Sequence, residues 1–225
     1  MNIITMPWSL VVAQEFNWDI DWRGQGAQET NAGSRQIVYN QFPRWYGKPK
    51  LTLEGENIRL WRAIRAEAQG RFNVYRIPMI DPMTFDFNSI PLSEQSIGVE
   101  NAEGVLFSTG YGYEYQPFIL ALADASVGAT TLDVDTSGFS TFEPKAGHIY
   151  SHNDYPFIVT SVTELATNQY RLTVRMAVRS AITAGDVIRL IPYGLFVAED
   201  DVTGRVTFDG ARHAQPEFAF VEYQR

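Results

Sequence analysis

The side chains whose type and spacing could do chemistry are few. His148 and His152 stand four apart with Asp154 beside them, and His213 stands alone. On a helix, a four-residue spacing would put two imidazoles on one face, as a zinc site needs. Here Ile149, Tyr150, Asn153 and Pro156 break any helical pattern, so His148 and His152 are expected as ordinary surface histidines beside a hairpin turn. Asp133, Asp135 and Thr136, with Gly138 behind them, faintly follow the start of a calcium loop, but the closing glutamate and the regular oxygen rhythm are missing. Asp133 and Asp135 read better as the solvent side of a strand whose inner side is Leu132 and Val134. The chain has no cysteine, which removes thiol nucleophiles, disulfides and cysteine-bound zinc, and fits assembly in a reducing compartment. No nucleophile elbow, phosphate loop or dinucleotide fingerprint occurs. With 26 acidic residues, a carboxylate pair suited to glycoside hydrolysis can always be picked, so that test has no power. The expectation is a non-enzyme with no cofactor and no metal.

The remaining polar pattern is cationic. The stretch YRLTVRMAVRS (170–180) alternates strictly, placing Leu172, Val174, Met176 and Val178 inside and Arg171, Thr173, Arg175 and Arg179 outside. Arg171, Arg175 and Arg179, with Arg189 from a neighbouring strand, form either a solvated face or a docking patch for an acidic partner subunit. The formal charge is −8, from 18 basic and 26 acidic residues. That balance argues against a free nucleic-acid binder, which needs basic patches to displace counterions. The 14 Phe, 11 Tyr and 5 Trp suit cores and interfaces, and also sugar stacking. Tyr150, Tyr155 and Phe157 are the candidate saccharide contacts.

These groups must be held by a mainly β framework. One helix is expected, over about 56–69, opening near Asn57 as N-cap and ending at Gly70. Ile58, Trp61, Ile64 and Ala68 give it an apolar stripe. FNWDIDWR (16–23) alternates as a strand, with Phe16, Trp18, Ile20 and Trp22 on one face. The Gly-rich segment 24–34 is expected as a flexible loop, a candidate arm that orders on assembly, and 37–42 as a strand. Trp18, Trp22, Trp45, Trp61 and Ile64 are the expected core of the N-terminal part. About five short strands over 117–195 suit a small barrel or sandwich. The last thirty residues are too few for a core of their own. They are expected to rejoin the N-terminal sheet, giving one domain from 1–116 with 196–225 and an inserted domain at 117–195. The start of the chain has no secretory pattern, and no run of about 20 apolar residues suggests a membrane span.

Several phrases resemble structural tail proteins of long-tailed bacteriophages. They are WRGQGAQETNAGSRQIVYNQFPRWYG, WRAIRAEAQGRFNVYRI with the following MIDP, and GATTLDVD…AGHIYSHNDYPFIVTSV…LTVRMAVRSAITAGDVIRL. The resemblance is to the distal tail, or baseplate-ring, group and to related proteins of gene transfer particles. It implies a β-sandwich or split-barrel N-terminal domain with one helix, and a second β domain, a small barrel or sandwich, projecting from it. It also implies a homo-oligomer, a hexameric ring between the tail tube protein and the hub or tip proteins, in the virion tail tip after assembly in the host cytoplasm. Membrane insertion and sequence-specific nucleic-acid contact are not implied. The alternative is a carbohydrate-binding module on the tail tip, gripping host saccharide through Tyr150, Tyr155 and Phe157.

Overall fold

The computed structural model describes residues 1–7, 10, 11, 13–15, 17–24, 28, 29, 35, 36, 42–81, 83, 84, 104, 105, 107, 108, 116–139, 142–207 and 213–224. The strand expected over 37–42 lies almost wholly outside them, as do Phe16 and most of 85–115. Among the described residues the fold is mainly β with one α-helix. In chain order the strands are β1 (Ile3–Thr5), β2 (Ala13–Glu15), β3 (Trp18–Asp21), β4 (Gln28–Glu29), β5 (Arg35–Gln36), β6 (Arg44–Gly47), β7 (Lys50–Leu51) and β8 (Leu53–Glu54). The helix α1 (Glu56–Ala68) and β9 (Val74–Pro78) follow. Then come β10 (Phe118–Ala121), β11 (Thr131–Asp135), β12 (Ile149–His152), β13 (Tyr155–Ala166), β14 (Gln169–Arg175) and β15 (Val187–Arg189). The chain ends with β16 (Tyr193–Ala198), β17 (His213–Ala214) and β18 (Phe220–Glu222).

Two compact units result, Met1–Met79 with Gly194–Arg225, and Ile80–Tyr193. The divisions fall at 79/80 and 193/194, not at 116/117 and 195/196. One reason is visible just after Met79, where the Thr84 hydroxyl accepts the Ile149 amide of β12 (3.0 Å) and binds that segment to the second unit.

The first unit is a six-stranded sheet in the order β1-β9-β16-β18-β6-β3, with β1 parallel to β9. The C-terminal strands β16 and β18 sit in its middle, so the two ends of the chain make one sheet. Against it α1 buries Ile58, Trp61, Ile64 and Ala68, the stripe read from their spacing. The helix begins one residue before Asn57. Gly55 is its N-cap, at φ 50°, with no side-chain cap bond. The chain must turn from β8 into the helix through this single residue, and glycine reaches that backbone region without a steric penalty. At the other end Gln69 takes the left-handed conformation (φ 52°, ψ 50°), its amide donating to the Ala66 carbonyl, and Gly70 follows at φ 68°. The segment expected as an open loop at 24–34 carries β4, which pairs with β5 just beyond it.

Trp61 gathers the unit. Its ring stacks on Tyr75 (6.0 Å between centroids) and meets Phe218 edge-on (4.9 Å), and its Nε1–H donates to the Gly204 carbonyl (2.7 Å). Arg65, one turn on, donates to the carbonyls of Thr203 (3.0 Å) and Asp201 (2.6 Å). Of the expected core, Trp45, Trp61 and Ile64 are buried. Trp18 is half-buried, leaning on Phe196 (4.8 Å) and over Gly47, where a Cβ would lie 2.2 Å from the indole. Trp22 is 45% exposed, because β3 ends at Asp21 and the alternation does not carry it inward.

The second unit is a closed barrel of antiparallel strands in the order β10-β11-β14-β13-β12-β15, so of barrel and sandwich it is the barrel. Its interior is apolar, with Ile119, Leu132, Val134, Phe157, Val159, Leu172, Val174 and Ile188 all buried. The β12–β13 hairpin turns at Asn153 (φ 49°) and Asp154 (φ 64°), two residues that tolerate positive φ and give the twist a two-residue hairpin needs.

Gly204 combines φ +69° with a Cβ position 2.3 Å from Cζ2 of Trp61. Trp61→Ala is expected to cost about 3–5 kcal/mol, and Gly204→Ala about 1–3 kcal/mol from strain and overpacking. The two losses are expected to be strongly non-additive, since removing the indole removes the clash. Urea denaturation of both single variants and the double variant measures this, and additive losses would contradict the packing described.

Candidate functional site

The barrel carries most of the residues singled out by sequence, and it separates them. Arg171 lies opposite Asp133 in the β11–β14 register, and the guanidinium grips the carboxylate with two bonds, Nε to Oδ1 (2.7 Å) and Nη2 to Oδ2 (2.8 Å). This bidentate pair holds Asp133 below the usual carboxylate range, with burial opposing, and raises Arg171. Arg171 is about half exposed, so solvent screens the pair and it adds little to stability. Its charge is answered within the chain. Arg175 shares the outer face of β14 with Thr173 and Arg171, two and four residues away, and is exposed. Arg179 does not join them. The strand stops at Arg175, Met176 turns to φ 61°, and Arg179 falls on irregular chain beyond it. Arg189, on β15, places its guanidinium over the Tyr193 ring (5.8 Å). A three-arginine row on one strand is therefore not formed.

The saccharide candidates fare differently from one another. Tyr150 and Phe157 face each other across β12 and β13 inside the barrel, almost fully buried, with rings edge-on at 6.3 Å. No face of either ring is open to stack on a sugar, so these two positions are corrected to core. Tyr155 is half-buried at the start of β13.

His148 and His152 are not surface residues, being 8% and 6% exposed. The Lys145 amide donates to Nδ1 of His148 (3.2 Å), and the Tyr150 hydroxyl meets the same nitrogen (2.8 Å). That nitrogen is thus an acceptor, and the proton of the neutral ring sits on Nε2. Burial pushes the His148 pKa down, helped by Lys145 and opposed by Asp81. Burial likewise pushes the Tyr150 phenol far up, so it stays protonated. His152 shows the other tautomer. Nδ1 meets the Val187 carbonyl (3.3 Å), and Nε2 accepts from Asn153 Nδ2 (2.8 Å). His213 is exposed and lies 3.0 Å from Glu54.

The calcium reading also dissolves into local bonding. Asp133 is held by Arg171, Asp135 accepts the Ser137 amide (2.7 Å), and buried Thr136 donates to the Asn168 carbonyl (3.3 Å). Among the described residues no three acidic or histidine side chains are gathered to hold a metal, and no helix is long and apolar enough to cross a membrane.

What sequence reading missed is an apolar band outside the barrel. On β10 the inward residues Ile119 and Ala121 are buried, while Phe118 and Leu120 point out at 48% and 38% exposure. Leu122, just past the strand, and Val187, directly opposite Leu120 on β15, extend the band at 36% and 41%. The phrase FILALAD (118–124) is apolar on both alternations, so a period of two cannot tell its inside from its outside. The signal was the lack of a polar phase. The first unit holds a groove of about 530 Å³ between the β6–β7 turn and residues 199–203, floored by Leu51 and Phe218 and rimmed by Lys48, Lys50, Glu199 and Glu217. Lys48 reaches across toward Glu199 at 3.9 Å.

No protein-family model matches this chain, and no curated protein matches it.

His148 is lower in pKa when folded than its ordinary 6.5, so its stabilising contribution is complete above about pH 6.5. It drains away as pH falls from there toward the folded value, because the unfolded chain takes up the proton first. The urea midpoint is expected to fall between pH 7 and pH 5, and to fall less in His148→Gln. Equal slopes for the two proteins would show that this ring does not titrate as described.

Proposed function

We propose that this chain is a virion structural protein, a subunit of the ring at the distal end of a bacteriophage tail. In that role it links the tail tube to the hub, the baseplate and the host-recognition components, through protein contact and without catalysis. The observation that carries the reading is where the tail-protein phrases fall. WRAIRAEAQGRFNVYRI covers the second part of α1 and nearly all of β9, in a unit closed by the chain's own C-terminal strands, and GATTLDVD through DVIRL covers the barrel strands from β11 to β15. The phrases thus fall on the helix and sheet of a unit discontinuous in sequence and on the barrel strands that lie between its two parts in the chain.

Two features lend physical support. The six-stranded sheet has outer strands β1 and β3, edges on which neighbouring copies can pair. Several groups with acid–base potential are engaged within the chain, His148 with Tyr150, Asp133 with Arg171 on the barrel's outer wall, and the buried Glu222 accepting the Trp45 amide at 2.8 Å. A closed ring of identical copies needs two different patches per subunit, and a hexamer is the stoichiometry this reading carries.

Labelling the chain in intact particles and imaging them by electron microscopy tests the proposal. The label is expected as a ring at the far end of the tail. Particles that lack the polypeptide or carry it elsewhere, or turnover of a cell-wall substrate by the purified chain, would overturn it.

A further inference from the structure

The barrel's outer wall is not uniform. On the β11–β14 side its outward residues are what a solvated wall requires, namely Thr131, Asp133, Gln169, Arg171, Thr173 and Arg175. On the β10–β15 side they are Phe118, Leu120, Leu122 and Val187, all more than a third exposed, with Arg189 opposite Phe118 at one end and the acidic residues gathered at the Leu120–Leu122 end. The contrast lies within one closed sheet, so it is not a consequence of strand propensity. Large apolar side chains grouped on a soluble surface mark a contact site.

The band has an acidic rim. Asp135 lies opposite Leu120 in the β10–β11 register, Asp186 precedes Val187, and Asp124 follows Leu122 by two residues. The complementary charge is on the same molecule. In the strand order β10-β11-β14-β13-β12-β15, β14 stands three strands from β15 and β13 three from β10, so the β13–β14 wall is diametrically opposite the band. That wall carries exposed Arg175, whose guanidinium donates only to the Val174 carbonyl (3.5 Å), with no carboxylate paired to it among the described residues. Ile158, opposite Arg175 in the β13–β14 register, supplies a partly exposed apolar neighbour.

We infer that the apolar, acid-rimmed β10–β15 face of one copy docks on the β13–β14 face of the next copy, with Arg175 set against the acidic rim. The two faces differ and lie on opposite walls, so the contact is heterologous and passes from copy to copy in one direction. Arg175 contributes its charge at the Leu120 end of the band, where Asp135 and Asp186 stand, and away from Arg189 at the Phe118 end. The inference rests on the reading of the chain as a repeated subunit, and it adds the barrel wall as the place where neighbours touch.

The absence of cysteine makes the test direct. Leu120→Cys and Thr173→Cys, both on the outer wall, are placed in one full-length chain and oxidised at increasing protein concentration. Near-UV circular dichroism confirms that the barrel is intact. The double variant is expected to give a ladder of dimers, trimers and higher species on a non-reducing gel. A mixture of the two single variants is expected to stop at a disulfide dimer containing one of each. Adding Arg175→Glu is expected to shift the onset of the ladder to roughly tenfold higher concentration, the scale of one reversed charge contact. No ladder from a folded double variant would overturn the inference. So would a dimer formed by Leu120→Cys alone with no ladder, which would mean that the band pairs with itself. A ladder from a chain absent from tail particles would leave this contact standing and remove the tail-ring reading instead.

Discussion

Closure of the first unit depends on one indole. Trp61 is where the helix, the sheet and the returning C-terminal segment meet, through Tyr75, Phe218 and the Gly204 carbonyl. The residues it joins are separated by the whole barrel in sequence, so these contacts carry a loop-closure cost that local structure would not. Arg65 and the buried pairing of the Glu222 carboxylate with the Trp45 amide bind the same two pieces of chain. A buried carboxylate is tolerated only where donors reach it, and β18 places Glu222 beside β6 so that they do.

The barrel solves its polar problem inside rather than at its mouth. Tyr150 brings a hydroxyl into an apolar interior, and a buried phenol needs a partner. His148 provides it, and must stay neutral to do so. The same logic fixes His152 between a backbone carbonyl and an asparagine. Two imidazoles that might have been a metal pair are thereby locked in opposite tautomers, each serving the fold.

Much of this was legible where a single periodicity dominates. The stripe of Ile58, Trp61, Ile64 and Ala68 has no competing phase, and the inner residues Leu172 and Val174 alternate against arginine and threonine. Legibility failed where the determining contact was distant or the pattern degenerate. Burial of His148 follows from Tyr150 and Lys145 folding around it, which spacing along a strand does not reveal. Arg179 was misplaced because Met176 leaves the extended region, and methionine gives no warning of that. Trp22 looked like core because the alternation of FNWDIDWR outlasts the strand itself. Phe118 and Leu120 were invisible for the opposite reason, since β10 is apolar on both sides.

One feature of the barrel bears on how such a chain comes to exist. Its first and last strands are hydrogen-bonded neighbours, Phe118 standing opposite Arg189, so the segment is entered and left at nearly one point. In the six-stranded sheet β9 and β16, the strands on either side of this segment in sequence, are themselves neighbours, so that sheet needs no stretching to accept it and none to give it up. The module is portable by construction. Recombination can exchange it for another with paired ends, leaving the six-stranded sheet intact while the exchanged module diversifies.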